Sequence, residues 1–118
     1  MNMNDEIRVI ADAMLEKKAR GVVSLDLTKI GTAIADCFVI CNADSTTQVV
    51  AICDYVEEMM EKECGRSVLR KQGRENAFWV ILDYSDIVVH IFLTDQRLFY
   101  RLEDLWADAV KTEYTDNN

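Results

Sequence analysis

The stretch from Phe78 to Leu93 limits the fold of this chain more than any other. It contains two apolar runs, Phe78-Trp79-Val80-Ile81-Leu82-Asp83 and Asp86-Ile87-Val88-Val89-His90-Ile91-Phe92-Leu93, separated by Tyr84-Ser85. β-Branched and aromatic residues on both sides of a short polar break predict a β-hairpin. A loop centred on Tyr84-Ser85 pairs Asp83 with Asp86, Leu82 with Ile87 and, further out, Trp79 with His90. Successive strand side chains point to opposite faces. One face then carries Phe78, Val80, Leu82, Ile87, Val89, Ile91 and Leu93, all apolar, and calls for a covering layer of helix. The other carries Trp79, Ile81, Asp83, Asp86, Val88, His90 and Phe92. That second face suits a partner, or simply a Trp79–His90 cross-strand pair that stiffens the hairpin.

The rest of the chain supplies that layer. Residues 4–20 predict a helix with Ile7, Ile10, Met14 and Leu15 in a stripe, acidic Asp5 and Glu6 in its first turn and Gly21 as its stop. Val22 to Thr28 alternates as a strand, with Val23, Leu25 and Leu27 on one face. Asp36 to Cys41 is a short apolar strand suited to the middle of a sheet. Ser45-Thr46-Thr47-Gln48 reads as a capping box, with Gln48 reaching back to the cap. The helix it opens runs to about Glu63, with Val49, Ile52, Val56, Met59 and Met60 inward. Ser67 to Lys71 fits an edge strand. Thr94 or Asp95 caps a last helix through Trp106, with Leu98, Leu102 and Leu105 inward. The expected fold is a mixed α/β sheet of about five strands packed with helices. One domain spans 1–111, and 112–118 form a polar, flexible tail.

Composition narrows function. The formal charge is −8, and the basic residues cluster only at Lys17-Lys18-Ala19-Arg20 and between Arg66 and Arg74. Nucleic-acid binders need a basic stripe along the phosphates, so little direct nucleic-acid binding is expected and a basic protein surface is the better partner. No run of about 20 apolar residues suggests a membrane span, and the acidic start does not resemble a signal peptide, so the expected location is cytoplasmic. Cys37, Cys41, Cys53 and Cys64 show no CxxC spacing. Cys37 and Cys41 would sit roughly 13 Å apart along one strand, too far for a disulfide. All four read as reduced thiols, and no metal or cofactor is expected.

No catalytic set stands out. His90 is the sole histidine, and none of the cysteines lies in a nucleophile turn. The loop Asn42-Ala43-Asp44-Ser45 lacks the glycines of a phosphate cradle. Nucleotidyl transfer needs closely spaced metal-binding acids, whereas Asp83 and Asp86 straddle a turn. Asp83, Asp86, Glu103 and Asp104 are either acceptors for a partner's Lys and Arg or a solvated acidic surface.

The run Trp79 to Phe92 with Asp83-Tyr84-Ser85-Asp86 at its turn, followed by Arg97-Leu98-Phe99-Tyr100-Arg101-Leu102-Glu103-Asp104-Leu105-Trp106, resembles the ribosomal silencing factor family, also called Iojap. Asp36-Cys37-Phe38-Val39-Ile40 and Ser45 with Gln48-Val49 are similar to its upstream segments, and the likeness covers roughly residues 5–108. Two departures are Ser85 in place of the turn glycine, expected to relax the turn from positive φ, and Asn42-Ala43-Asp44 in place of a glycine-containing loop. The resemblance implies a nucleotidyltransferase-like core without an active site. It implies a non-enzymatic factor that binds the large ribosomal subunit through its basic fourteenth protein and blocks joining of the small subunit. The expected contacts are Trp79, Asp83, Tyr84, Asp86, His90, Arg97, Tyr100 and Glu103, with Arg97 and Tyr100 alternatively bracing the last helix. An assembly factor, a nucleotide-binding enzyme and a homodimer through the Trp79 face are the alternatives.

Overall fold

The computed structural model describes residues 2–115. Along the chain it forms α1 (Met3–Glu16), β1 (Arg20–Asp26), β2 (Cys37–Ala43), α2 (Thr46–Cys64), β3 (Arg70–Gln72), β4 (Trp79–Asp83), β5 (Ile87–Leu93), α3 (Thr94–Tyr100), α4 (Leu102–Leu105) and β6 (Val110–Glu113). The strands make one six-stranded sheet in the order β3-β4-β5-β2-β1-β6. Only β2 and β5 run parallel, and α2 lies within the connection that crosses between them. No helix is long and apolar enough to cross a membrane among the described residues.

Both long helices cover the same sheet face. Ile7, Ile10 and Met14 of α1 and Val49, Ile52, Val56 and Met60 of α2 join Val39, Val80, Leu82, Ile87, Val89 and Ile91 in the larger core. A smaller core on the opposite face gathers Val23, Leu25, Leu27, Phe38, Ile40 and Phe92 under Leu102.

Local chemistry sets the element ends. Asn2 and Asp5 form a reciprocal capping box at the start of α1. That helix stops at Glu16, short of the expected residue 20, and Gly21 instead lies in β1 at φ 59°, where the register with β2 shifts. Ser45 caps α2 by accepting the Gln48 amide at 3.1 Å. The Gln48 side chain does not return to the cap; it donates to the Lys17 and Lys18 carbonyls at 3.2 and 3.0 Å. The end of α1 leaves carbonyls without helical partners, and the tertiary contact satisfies them.

Three expectations fail at the end of the chain. The continuous helix through Trp106 is broken at Arg101, whose φ of 49° is left-handed. Neither Thr94 nor Asp95 caps it; Leu93 is the cap residue, without a side-chain bond. Thr112 and Glu113, placed in the expected tail, instead belong to β6, which pairs antiparallel with β1 from Asp26–Val110 to Val23–Glu113. Tyr114 continues the contact, its hydroxyl 3.0 Å from Ser24 Oγ. Residues 116–118 of the expected tail lie outside the described residues.

Candidate binding face

The hairpin forms with the expected faces but a different register. Trp79 pairs with Phe92, Ile81 with His90, Leu82 with Val89 and Asp83 with Val88. Each partner is displaced by two residues from the expected one. A shift of two preserves side-chain parity, so Val80, Leu82, Ile87, Val89 and Ile91 still fill the helix-covered core. Phe78 precedes the strand and is exposed.

The cause of the shift is Tyr84. Its side chain is fully buried in the large core, so the strand direction persists one residue further and the turn falls at Ser85-Asp86. The Tyr84 amide donates to the Ile87 carbonyl at 2.9 Å and closes the loop. Ser85 keeps a positive φ of 78° despite its side chain, contrary to the expected relaxation. Its amide donates to Asp83 Oδ1 at 2.8 Å, a local bond of the kind Asp offers two residues ahead.

Burial thereby removes Tyr84 from the expected exposed contacts. Asp86 also departs from the Trp79 face: Arg66 bonds its carboxylate at 2.8 Å, Glu6 of α1 at 2.8 Å and the Tyr84 carbonyl at 2.6 Å. Burial works to raise the Asp86 carboxyl, but the Arg66 hydrogen bond and charge prevail and hold it below the usual carboxylate range.

Trp79, His90 and Tyr100 do come together. The Trp79 indole stacks on Phe92 at 4.8 Å between centroids and meets Tyr100 at 4.9 Å. Its N–H donates to His90 Nδ1 at 3.1 Å. His90 is only 5% exposed, with the Phe38 ring edge-on at 4.6 Å. Desolvation pushes its pKa down to about 4, so the ring is neutral at pH 7, and accepting at Nδ1 places its proton on Nε2. Trp106 packs edge-on to Phe38 at 5.8 Å, a packing role. Asp83 shares the face, further along β4 and opposite Arg70 of β3.

Arg97 and Glu103 brace this region. Arg97 Nε and Nη2 meet the two Glu103 oxygens at 2.9 and 3.0 Å, and Nη1 donates to the Gly21 carbonyl and Asn42 Oδ1 at 2.7 and 2.8 Å. A Cβ on Gly21 would collide with that guanidinium, which explains the glycine. Asn42 and Asp44, from the divergent loop, both bond Thr94 Oγ1, at 2.9 and 2.6 Å, and so fix the start of α3.

The segment around the break at Arg101 exposes apolar side chains that helical spacing places inward. Leu98 and Leu105, expected inward, are 70% and 75% exposed, and Phe99 is 77% exposed beside Tyr100. With the axis divided at Arg101, Leu98, Leu102 and Leu105 no longer form one stripe, and only Leu102 is buried. The adjacent aromatic pair Phe99-Tyr100 was the available signal. Cys37, Cys41 and Cys53 are buried free thiols, each pushed up to about 12 first by desolvation.

A fixed indole, a buried neutral imidazole and exposed apolar side chains are what this mixed α/β scaffold presents around Trp79. The family model described as "Ribosomal silencing factor during starvation" matches residues 1–118. The ribosomal silencing factor of Halalkalibacterium halodurans is 38% identical over 113 residues, covering 96% of this chain and 95% of that one. A solved structure of a Chromobacterium violaceum protein superposes with a TM-score of 0.85 at 27% identity, covering 98% of this chain and 95% of that one. A mouse protein named for mitochondrial assembly of the ribosomal large subunit is 25% identical over 104 residues, covering 86% of this chain and 45% of its own length. The chain belongs to the ribosomal silencing factor family.

Proposed function

We propose that this protein binds the large ribosomal subunit in the cytoplasm through the basic fourteenth protein of that subunit, at the intersubunit face. Bound there, it blocks joining of the small subunit and represses translation by occupancy, without catalysis. The observation that carries this reading is the Trp79 indole held between Phe92 and Tyr100, with its N–H on His90. A large aromatic already fixed in place loses little side-chain entropy on binding, and tryptophan is a frequent hot spot. Asp83 would meet a Lys or Arg at the rim, and the net charge of −8 would speed encounter with a basic surface. Tyr84 and Asp86 drop out of the contact set because the fold occupies them, and Arg97 and Glu103 act by positioning α3 and α4.

Catalysis is disfavoured by what the candidate groups are engaged in. Asp86 is tied to Arg66, Asp83 holds the Ser85 amide, and His90 is buried against aromatic rings. The name of the mouse relative supports a second reading, a role in assembling the large subunit.

Sucrose-gradient pelleting with purified large subunits, small subunits and joined ribosomes tests the proposal. Selective binding to large subunits with loss of joining supports silencing. Binding confined to subunit precursors supports assembly, and no binding to any particle overturns both. Trp79→Ala should weaken large-subunit binding by about 2 kcal/mol or more, roughly 30-fold. A mass that rises with concentration in the wild type and not in Trp79→Ala would assign the face to a homodimer instead.

A further inference from the structure

The helical layer carries a groove on the opposite side of the sheet from Trp79. Val9, Asp12, Ala13 and Glu16 of α1 recur at the spacing of one helix face, as do Tyr55, Met59 and Glu63 of α2, and together they line a cleft of about 270 Å³. Met59, expected in the core, is only half-buried, as are Val9 and Tyr55; Ala13 is buried and keeps the floor low. The rim is acidic. Asp12 makes an exposed pair with Arg8 at 3.1 Å, whereas Glu16 and Glu63 have no ion pair among the described residues. The chain itself reports how the cleft treats a cation: Lys17 Nζ sits 4.6 Å from the centre of the Tyr55 ring, drawn by the ring face.

We propose that the α1–α2 groove is a second docking surface, built to receive a basic amphipathic helix of another protein. The occupant follows from the chemistry. Apolar positions of an incoming helix would rest on Val9, Ala13, Tyr55 and Met59, and its flanking Lys or Arg would reach Asp12, Glu16 and Glu63. Two helices bordering a valley receive a third helix by its apolar stripe, and a flexible methionine adapts to varied side chains. An acidic partner would meet like charge on both sides of the valley. Because Trp79 and the groove lie on opposite faces of the sheet, both can be occupied at once, and the proposal stands independently of what binds Trp79.

The test uses the full chain and a labelled synthetic peptide of Leu and Lys, about three helical turns long, with Leu spaced to form one stripe. Fluorescence anisotropy should show saturable binding. Met59→Lys and the exposed Glu63→Lys should each weaken it tenfold or more, while Trp79→Ala leaves it unchanged. Thermal unfolding checks each variant, and Glu63→Lys, which touches no core residue, keeps the test decisive if Met59→Lys fails to fold. Equal binding of a scrambled peptide of the same composition would reduce the effect to bulk charge and overturn the proposal. So would full binding by Glu63→Lys, or loss of binding in Trp79→Ala.

Discussion

The hairpin β4–β5 and the segment 94–106 contribute to the same face, yet they respond differently to an error in local register. In the hairpin, the pairing shifts by two residues and every strand residue keeps its face. In the segment 94–106, a left-handed residue at Arg101 splits the expected helix: Leu102 just after it stays buried, whereas Leu98 before it and Leu105 beyond are exposed. A period of two tolerates a slip of two. A helical stripe needs one continuous axis, and the break divides Leu98 from Leu102 and Leu105. The hairpin is also anchored by burial, through Tyr84, whereas α3 buries no side chain and is held by polar bonds through Arg97 and Thr94, with Leu102 alone tying α4 to the smaller core.

That contrast can be broken most directly at its anchors. Tyr84→Ala should cost about 3–5 kcal/mol of stability by opening a cavity, measured by denaturant unfolding. A loss under 1 kcal/mol would show that Tyr84 does not set the turn. Tyr84→Phe should be neutral or slightly stabilising, because the buried hydroxyl finds no hydrogen-bond partner among the described residues.

The buried imidazole gives the next largest effect, and it depends on pH. The His90 pKa falls from 6.5 to about 4 on folding. The unfolded chain therefore binds the extra proton first as pH drops. The His90 contribution is complete above pH 6.5 and declines as pH falls towards about 4. At most about 3 kcal/mol is at stake. His90→Gln, which can still accept the indole N–H, should flatten this part of the pH–stability curve. An unchanged curve would mean that His90 charges freely in the folded protein.

Arg97→Ala should cost about 2–3 kcal/mol, since Glu103, Asn42 and the Gly21 carbonyl lose their donor together. Hydrogen exchange should then rise across 94–106 but not in β4 and β5. Uniform exchange would dissolve the distinction between the two regions. The smallest effects belong to the left-handed residues. Ser85→Gly and Arg101→Gly should each stabilise by up to about 1 kcal/mol, by relieving positive φ. A loss at Arg101 would mean that its exposed pair with Asp104 at 2.7 Å outweighs the strain.

Much of the candidate face was readable beforehand, and what was not has identifiable causes. Alternation placed Trp79, Ile81, Asp83, Val88 and His90 on one side because parity depends only on sequence. Asp86 was misplaced because Arg66, twenty residues away, pulls it towards α1. Tyr84 looked like a turn residue and proved to be core, because the space beneath it exists only once α1 and α2 are packed. Residues 110–113 gave no local strand signal, since their order comes from pairing with β1.

The sequence alone determined the alternation of the hairpin, the amphipathic character of α1 and α2, the acidic surface and the motif that resembles the family. These are properties of spacing and composition, and no distant contact can change them. Only the tertiary structure decided where the turn falls, which carboxylates are free, and that Leu98, Phe99 and Leu105 face outward. Each of those outcomes depends on a partner far away in the chain, and local propensity holds no information about a partner that folding has yet to bring near.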